Sequence, residues 1–156
     1  MSLSQERDRA PQVSDSVDAF LAEPHIATLS TIRPNCSLHA APVRFTWDNE
    51  AGLARVMTVS SSRKARNLLA APGSRVALCQ AVGYSWVALE GTAQVSDDPL
   101  RVAEGARLYT RRYRSHAPNP PGAGLRHHRG VICAGPRHIR GGPHVRSMTD
   151  AGGRCV

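Results

Sequence analysis

The segment with the clearest chemical character is 58–67, Thr-Val-Ser-Ser-Ser-Arg-Lys-Ala-Arg-Asn, where hydroxyl side chains are followed by three cations. Ser62 is a good N-cap, and the apolar residues after it recur at helical spacing, so a helix should begin just after it. Free N–H groups and the positive dipole end at a helix N-terminus, with Arg63 and Lys64 beside them, suit a phosphate or an oligocarboxylate. The segment predicts an anion site, although a solvated helix start would have the same spacing.

The elements around this segment are predicted from periodicity. Alternating, β-branched or apolar stretches indicate three strands before it and two after it: 25–32, 38–47, 53–60, 75–81 and 86–95. Pro42 requires an edge strand or a bulge. A first helix should begin after Ser14 and end at Pro24, and a last one should begin with Pro99. This order has no long parallel crossover, so we expect a mostly β fold, an antiparallel β-barrel with short helices.

The bulk composition is that of one ordinary globular domain. The chain has 156 residues, of which 41% are hydrophobic and 21% charged. It contains no apolar run of the ~20 residues that a spanning helix needs, and its polar start does not resemble a signal peptide, which predicts a cytoplasmic protein with no membrane partner. Four cysteines without C-x-x-C spacing argue against a zinc finger or a disulfide framework.

The end of the chain differs from the rest. Residues 121–156 hold 8 of the 13 glycines and 4 of the 7 histidines and carry a net charge of +5, against +3 for residues 1–120. We therefore divide the chain into a flexible N-terminus (1–13), a barrel domain (14–120) and an irregular basic tail (121–156), which lacks the expected closing strand. The tail is a disordered basic arm, a His/Cys metal site, or sequence translated out of frame.

Composition favours the out-of-frame origin of the tail. The chain has 1 lysine against 19 arginines, a bias of GC-rich coding sequence, and shifted frames of such sequence yield Arg, Gly, Pro, Ala and His. Sequencing the gene beyond Pro120 tests this. A metal site is not expected, because His127, His128, Cys133 and His138 lack the regular ligand spacing of structural zinc sites.

Several ordered motifs resemble one family. Ser62-Arg63-Lys64-Ala65 is similar to the phosphate-gripping segment of the pyridoxamine 5'-phosphate oxidases, 38–45 looks like the cofactor-facing strand of that superfamily, and 89–93 looks like its following barrel strand. Segment 107–114 resembles the mycobacterial deazaflavin-dependent, biliverdin-reductase-like branch. The resemblance covers about residues 14–120 and implies a split β-barrel of the FMN-binding-like class, assembled as a homodimer with the cofactor ring between the subunits.

The resemblance also implies a set of cofactor-binding residues: Pro42, Val43, Arg44, Thr58, Ser60, Ser62, Arg63, Lys64, Asn67 and Trp86. Trp86 or Tyr84 would reach a partner's ring, although an aromatic residue on a barrel strand is more often part of the core. His39 is expected to be a structural strand residue. Cys36 stands at a turn position where many relatives have glycine.

The function implied by the resemblance is hydride transfer between reduced coenzyme F420 and a small conjugated substrate, such as biliverdin or a quinone-like compound. The cofactor performs this chemistry, so no catalytic triad is expected, and Arg44 is a candidate proton donor. The alternatives are an FMN-dependent enzyme like pyridoxamine-phosphate oxidase and a non-catalytic barrel that binds a cofactor or nucleic acid. Aromatic residues make up only 4% of the chain, which disfavours nucleic acid.

Overall fold

The structure, a computed structural model, describes residues 12–113 and 130–142. The helices of this part of the chain are α1 (Asp15–Ala22), α2 (Arg63–Ala70) and α3 (Pro99–Tyr113). Its strands are β1 (Ala27–Ile32), β2 (Leu38–Val43), β3 (Thr46–Asp48), β4 (Leu53–Thr58), β5 (Ser74–Val82), β6 (Ser85–Ser96) and β7 (Gly130–Gly141).

The seven strands form one sheet in the order β2-β1-β5-β6-β7-β4-β3, and every neighbouring pair is antiparallel. The predicted mostly β, antiparallel fold with short helices is confirmed. The curled sheet agrees with the split β-barrel that the resemblance implies. Within the described residues, no helix combines the length and apolar character needed to cross a membrane.

The core lies on the inward face of the sheet. Alternate residues of the strands point into it, and α1 covers one end. Its fully buried members include Val17, Leu21, Leu29, Leu68, Leu78, Val87 and Ile132. Val13 also belongs to this core, with 8% of its surface exposed, and its N–H donates to Asn49 Oδ1. The prediction of a flexible N-terminus is therefore wrong at Val13, and residues 1–11 lie outside the described part.

The predicted strand 38–47 is broken at Arg44 and Phe45 into β2 and β3, the two edges of the sheet. The break is held by Tyr113, whose hydroxyl accepts from Phe45 N at 3.1 Å and lies 2.9 Å from Phe45 O. Arg112 donates to the same carbonyl oxygen and lies over the Phe45 ring. Because β2 is an edge strand, Pro42 is tolerated there as predicted.

The prediction that no strand follows residue 120 is wrong. β7 lies between β6 and β4, and its inward residues Ile132 and Ala134 are buried in the core. Pro136 of this strand lies where the β6–β7 register shifts between Glu90 and Gly91. A missing N–H is tolerated at such a bulge. The sheet thus extends past the predicted domain boundary at residue 120. Residues 114–129 and 143–156 lie outside the described part of the chain. The out-of-frame origin of the tail stays a prediction.

Candidate functional site

The junction between β4 and α2 has the local structure that the sequence predicts. Ser62 has an extended backbone (φ −66°, ψ 150°), and its Oγ accepts from Ala65 N at 3.4 Å, which makes it the N-cap of α2. Thr58 is almost fully buried at the end of β4, with its Oγ1 2.9 Å from Ser62 Oγ. The buried threonine thus fixes the serine that begins the helix.

The first turn of α2 is cationic and contains no acidic residue. Arg63 is exposed and Lys64 is half-buried, and partial burial lowers the pKa of the Lys64 amine. The first N–H groups of a helix have no partner within the helix, and the helix dipole adds partial positive charge at the same end. This set of donors and cations fits an anionic group such as a phosphate or carboxylate.

A polar pair lies beneath α2. Asn67 is 1% exposed, and its Nδ2 donates to Thr31 Oγ1 on β1 at 2.9 Å. Its Oδ1 is buried and has no hydrogen-bond partner among the described residues. This burial makes Asn67 a contact between α2 and the sheet, whereas the sequence suggests it as a cofactor ligand, a role that stays a prediction.

His39 joins this group through strand pairing, because it lies directly opposite Thr31 in the β1–β2 register. Its Nδ1 is shielded from solvent and has no partner among the described residues. Desolvation lowers the pKa of His39, and the nearby charges of Arg33, Arg63 and Lys64 lower it further. From the sequence, His39 is expected to be a structural strand residue. Its pairing with Thr31, which only the β1–β2 register shows, places it in this group.

The predicted site residues of β2 face different ways. Pro42 is exposed on the outward face of the sheet, while the Val43 side chain is buried in the core, which leaves only its main chain for a ligand. Arg44 lies against α3, where its Nη1 donates to Tyr109 Oη at 3.2 Å and its guanidinium lies 5.2 Å from the centre of the Tyr113 ring. A role for Arg44 as proton donor stays a prediction.

The two remaining predicted residues, Ser60 and Trp86, lie in different parts of the fold. Ser60 is exposed in the turn between β4 and α2, next to the cationic helix start. Trp86 lies near the tip of the β5–β6 hairpin, opposite Ala81, with 37% of its surface exposed. Gly142 N donates to Trp86 O at 3.0 Å. Trp86 is therefore on the outward face and not in the core, and Tyr84 at the same tip is 88% exposed.

A cleft of about 790 Å³ lies on the outward face of β1, β2, β5, β6 and β7. Its lining includes Ser30, Leu38, Ala77, Glu90 and His138 and none of the predicted cofactor-binding residues. In residues 12–113 and 130–142, no group of three or more His, Cys, Asp or Glu side chains is placed to hold a metal ion. Cationic side chains occur in both places, since Arg75 and Arg137 line the cleft while Arg63 and Lys64 lie at the start of α2.

Comparison with known proteins agrees with this architecture. The model of a family described as pyridoxamine 5'-phosphate oxidase matches residues 13–146. A Mycobacterium tuberculosis protein named F420H(2)-dependent biliverdin reductase is 40% identical over 109 residues, which cover 70% of this chain and 78% of that protein.

Two solved structures are similar in fold. The conserved hypothetical protein Rv2991 of Mycobacterium tuberculosis superposes with a TM-score of 0.69 at 20% identity, covering 94% of this chain and 96% of the other. A structure named F420 reductase superposes with a TM-score of 0.61 at 23% identity, covering 79% and 94%. At these identities the two structures support the fold alone.

Proposed function

Because the chain belongs to the pyridoxamine 5'-phosphate oxidase family, we propose that it is an F420-dependent oxidoreductase. The observation that carries this proposal is the 40% identity to a protein named F420H(2)-dependent biliverdin reductase. When bound, the reduced deazaflavin would supply a hydride to a small conjugated substrate, such as biliverdin or a quinone-like compound. We keep the predicted cytoplasmic location as part of the proposal.

The start of α2 supports an anionic cofactor. Ser62, Arg63 and Lys64 offer a hydroxyl, helix N–H groups and two cations to a phosphate, and Arg66 on the same helix adds a third cation for acidic groups beyond it. We assign the phosphate to this turn. Pro42, Val43 and Arg44 would lie along the ring, and Thr58 and Ser60 below it, as the resemblance implies.

We further propose that the active form is a homodimer with the ring between the subunits. The dimer is supported by the exposed apolar side chain of Leu38 on the outward face of the sheet, 71% of whose surface is accessible. The position of the ring follows from the family resemblance alone. Trp86 and Tyr84 at the hairpin tip are then available to a partner's ring. Light scattering on the intact protein measures the mass that this proposal requires.

A second candidate, which the resemblance to the pyridoxamine-phosphate oxidases implies, is an FMN-dependent enzyme of the same family. FMN also carries a phosphate, so the same helix start would bind it, with less use for Arg66. A non-catalytic barrel that binds a cofactor would have the same binding site and no turnover. Titration with both cofactors, followed by an assay of F420H2 oxidation with biliverdin, separates the three.

The cofactor assignment is tested by fluorescence titration of the protein with F420 and with FMN. Lys64→Ala should weaken F420 binding about 10- to 100-fold, because a charge-assisted hydrogen bond from a half-buried amine is lost. Arg101→Ala, which removes one positive charge from the exposed side of α3, is the matched control and should bind as the wild type does.

Each outcome of the titration has a clear meaning. Binding of FMN alone by folded wild-type protein supports the second candidate. Absence of binding to either cofactor contradicts the proposal. An equal loss of affinity in Lys64→Ala and Arg101→Ala would mean that overall charge, and not the start of α2, attracts the ligand.

A further inference from the structure

His39 is the polar side chain next to the helix start that the proposed cofactor contacts leave without a role. It extends from the inward face of β2, opposite Thr31, and Thr31 is the residue to which Asn67 of α2 is hydrogen-bonded at 2.9 Å. The imidazole therefore lies where α2 meets the sheet. Strand register and helix packing fix this position independently of each other.

All the charged residues that act on His39 are cations. Arg33 acts on it from the turn between β1 and β2, and Arg63 and Lys64 act on it from α2, whereas the facing β1 residue, Thr31, is uncharged. The shielded ring nitrogen has no partner among the described residues, and three cations act on the ring, so this arrangement disfavours a protonated imidazole. An anion among these groups would neutralise the repulsion and could accept a hydrogen bond.

We propose that His39 is a further anion-contacting residue of the cofactor site and that it binds a proton together with the anionic part of the cofactor. The inference rests on the proposed function, since it requires an anionic ligand at the start of α2. It reassigns His39 from a structural strand residue to a binding residue. The hydrogen bond between Asn67 and Thr31 positions α2 beside it.

The sign of the resulting pH dependence follows from proton linkage. In the empty protein, desolvation and the three cations hold the pKa of His39 below its ordinary value of 6.5. A bound anion raises this pKa, so the complex holds more protons than the free protein between the two values. Affinity should increase as the pH falls through that window, by at most about tenfold per pH unit for one proton.

The test is the dissociation constant of F420, measured by fluorescence titration at intervals from about pH 8 to pH 5.5 on three proteins. Wild-type protein should bind several-fold more tightly at the acidic end than His39→Gln, whose amide does not titrate. His25→Gln is the matched control, because His25 is exposed and pairs with Glu23 beyond the end of α1. The titration of F420 itself is common to all three proteins and cancels in the comparison.

A second measurement, an NMR titration, uses wild-type protein only and so does not depend on the folding of a variant. The imidazole resonance of His39 in wild-type protein, followed by NMR across the same pH range, should titrate at a higher pH with F420 than without it. The expected result is a raised His39 titration and a steeper pH dependence in wild-type and His25→Gln than in His39→Gln. Binding with the same pH dependence in all three proteins, or an unmoved resonance, overturns the inference and leaves the cofactor assignment standing, whereas no binding at any pH overturns both.

Discussion

Cys36 has a backbone conformation that its side chain disfavours. Its φ angle of 67° lies in the left-handed region, where a β-carbon crowds the backbone. The turn around it is closed by two hydrogen bonds of 2.8 Å, from Arg33 N to Ser37 O and from Cys36 N to Arg33 O. This pattern fits a hairpin loop whose last residue is left-handed, a position that favours glycine.

Replacing Cys36 with glycine should therefore increase the free energy of unfolding by about 1 kcal/mol, since the crowding is removed and only part of the gain is lost to the greater freedom of glycine in the unfolded chain. Urea denaturation measures the change. Cys36→Ser is the control, because it removes the thiol and keeps the β-carbon, and it should leave the stability unchanged. If serine stabilises as much as glycine, the backbone angle is not the cause.

Some site residues are positioned by their neighbours in the sequence and others by distant parts of the chain, so only the first kind could be placed from the sequence. The role of Ser62 as N-cap follows from the residues next to it, and the structure confirms it. The arrangement of His39, Thr31 and Asn67 depends on the β1–β2 register and on the packing of α2, which bring together residues 36 apart in sequence. No periodicity within a short window contains that information.

Gly91 allows β6 and β7 to approach each other closely. Gly91 lies at the register shift opposite Pro136, and a β-carbon built on it would lie 2.1 Å from Gly135 O and 2.6 Å from Pro136 Cα. Backbone atoms cannot move aside as a flexible side chain can. The close approach of the two strands therefore requires glycine at position 91.

Gly91→Ala should lower the free energy of unfolding by about 2 kcal/mol or more, because the added methyl group forces the strands apart. The control is Gly135→Ala on the facing strand, whose β-carbon would meet no atom within 4 Å. That substitution should be neutral or slightly stabilising, since alanine loses less backbone entropy than glycine. Equal thermal stability of Gly91→Ala and wild-type protein would contradict the packing of β7 on β6.

The strands up to residue 96 could be predicted from the sequence, and β7 could not. Each of the earlier strands has an alternating pattern and a turn signal that suffice to place it. In β7, Gly135 and Pro136 interrupt the pattern, and their presence is explained only by the bulge opposite Gly91. The break between β2 and β3 is likewise determined by Tyr113, which is 68 residues away from Phe45.

The sheet has one face against its core, and in the described part of the chain α3 covers only the β4 and β7 side of the other face. Helices α1 and α2 pack against the core side, whereas α3 packs over Met57 of β4 and Val131 of β7 on the outward side. Away from α3, one row across this face has three small side chains, Ala40, Ser30 and Ala77, followed by Glu90 and His138 on the next strands. Small side chains allow a second sheet to approach closely, which supports a second copy as the partner of this face.

The homodimer predicts that intact protein has twice the 16.8 kDa mass of the chain in light scattering. Ala77→Arg places a long charged side chain on the outward face away from α3 and should give a monomer with an unchanged circular dichroism spectrum. Ala19→Arg makes the same change on the exposed side of α1 and should remain dimeric. Because the ring is proposed to lie between subunits, the Ala77→Arg monomer should also bind F420 more weakly. A wild-type monomer, or a dimer that tolerates arginine at position 77, would place the partner on another surface and require the cofactor site to be complete within one chain.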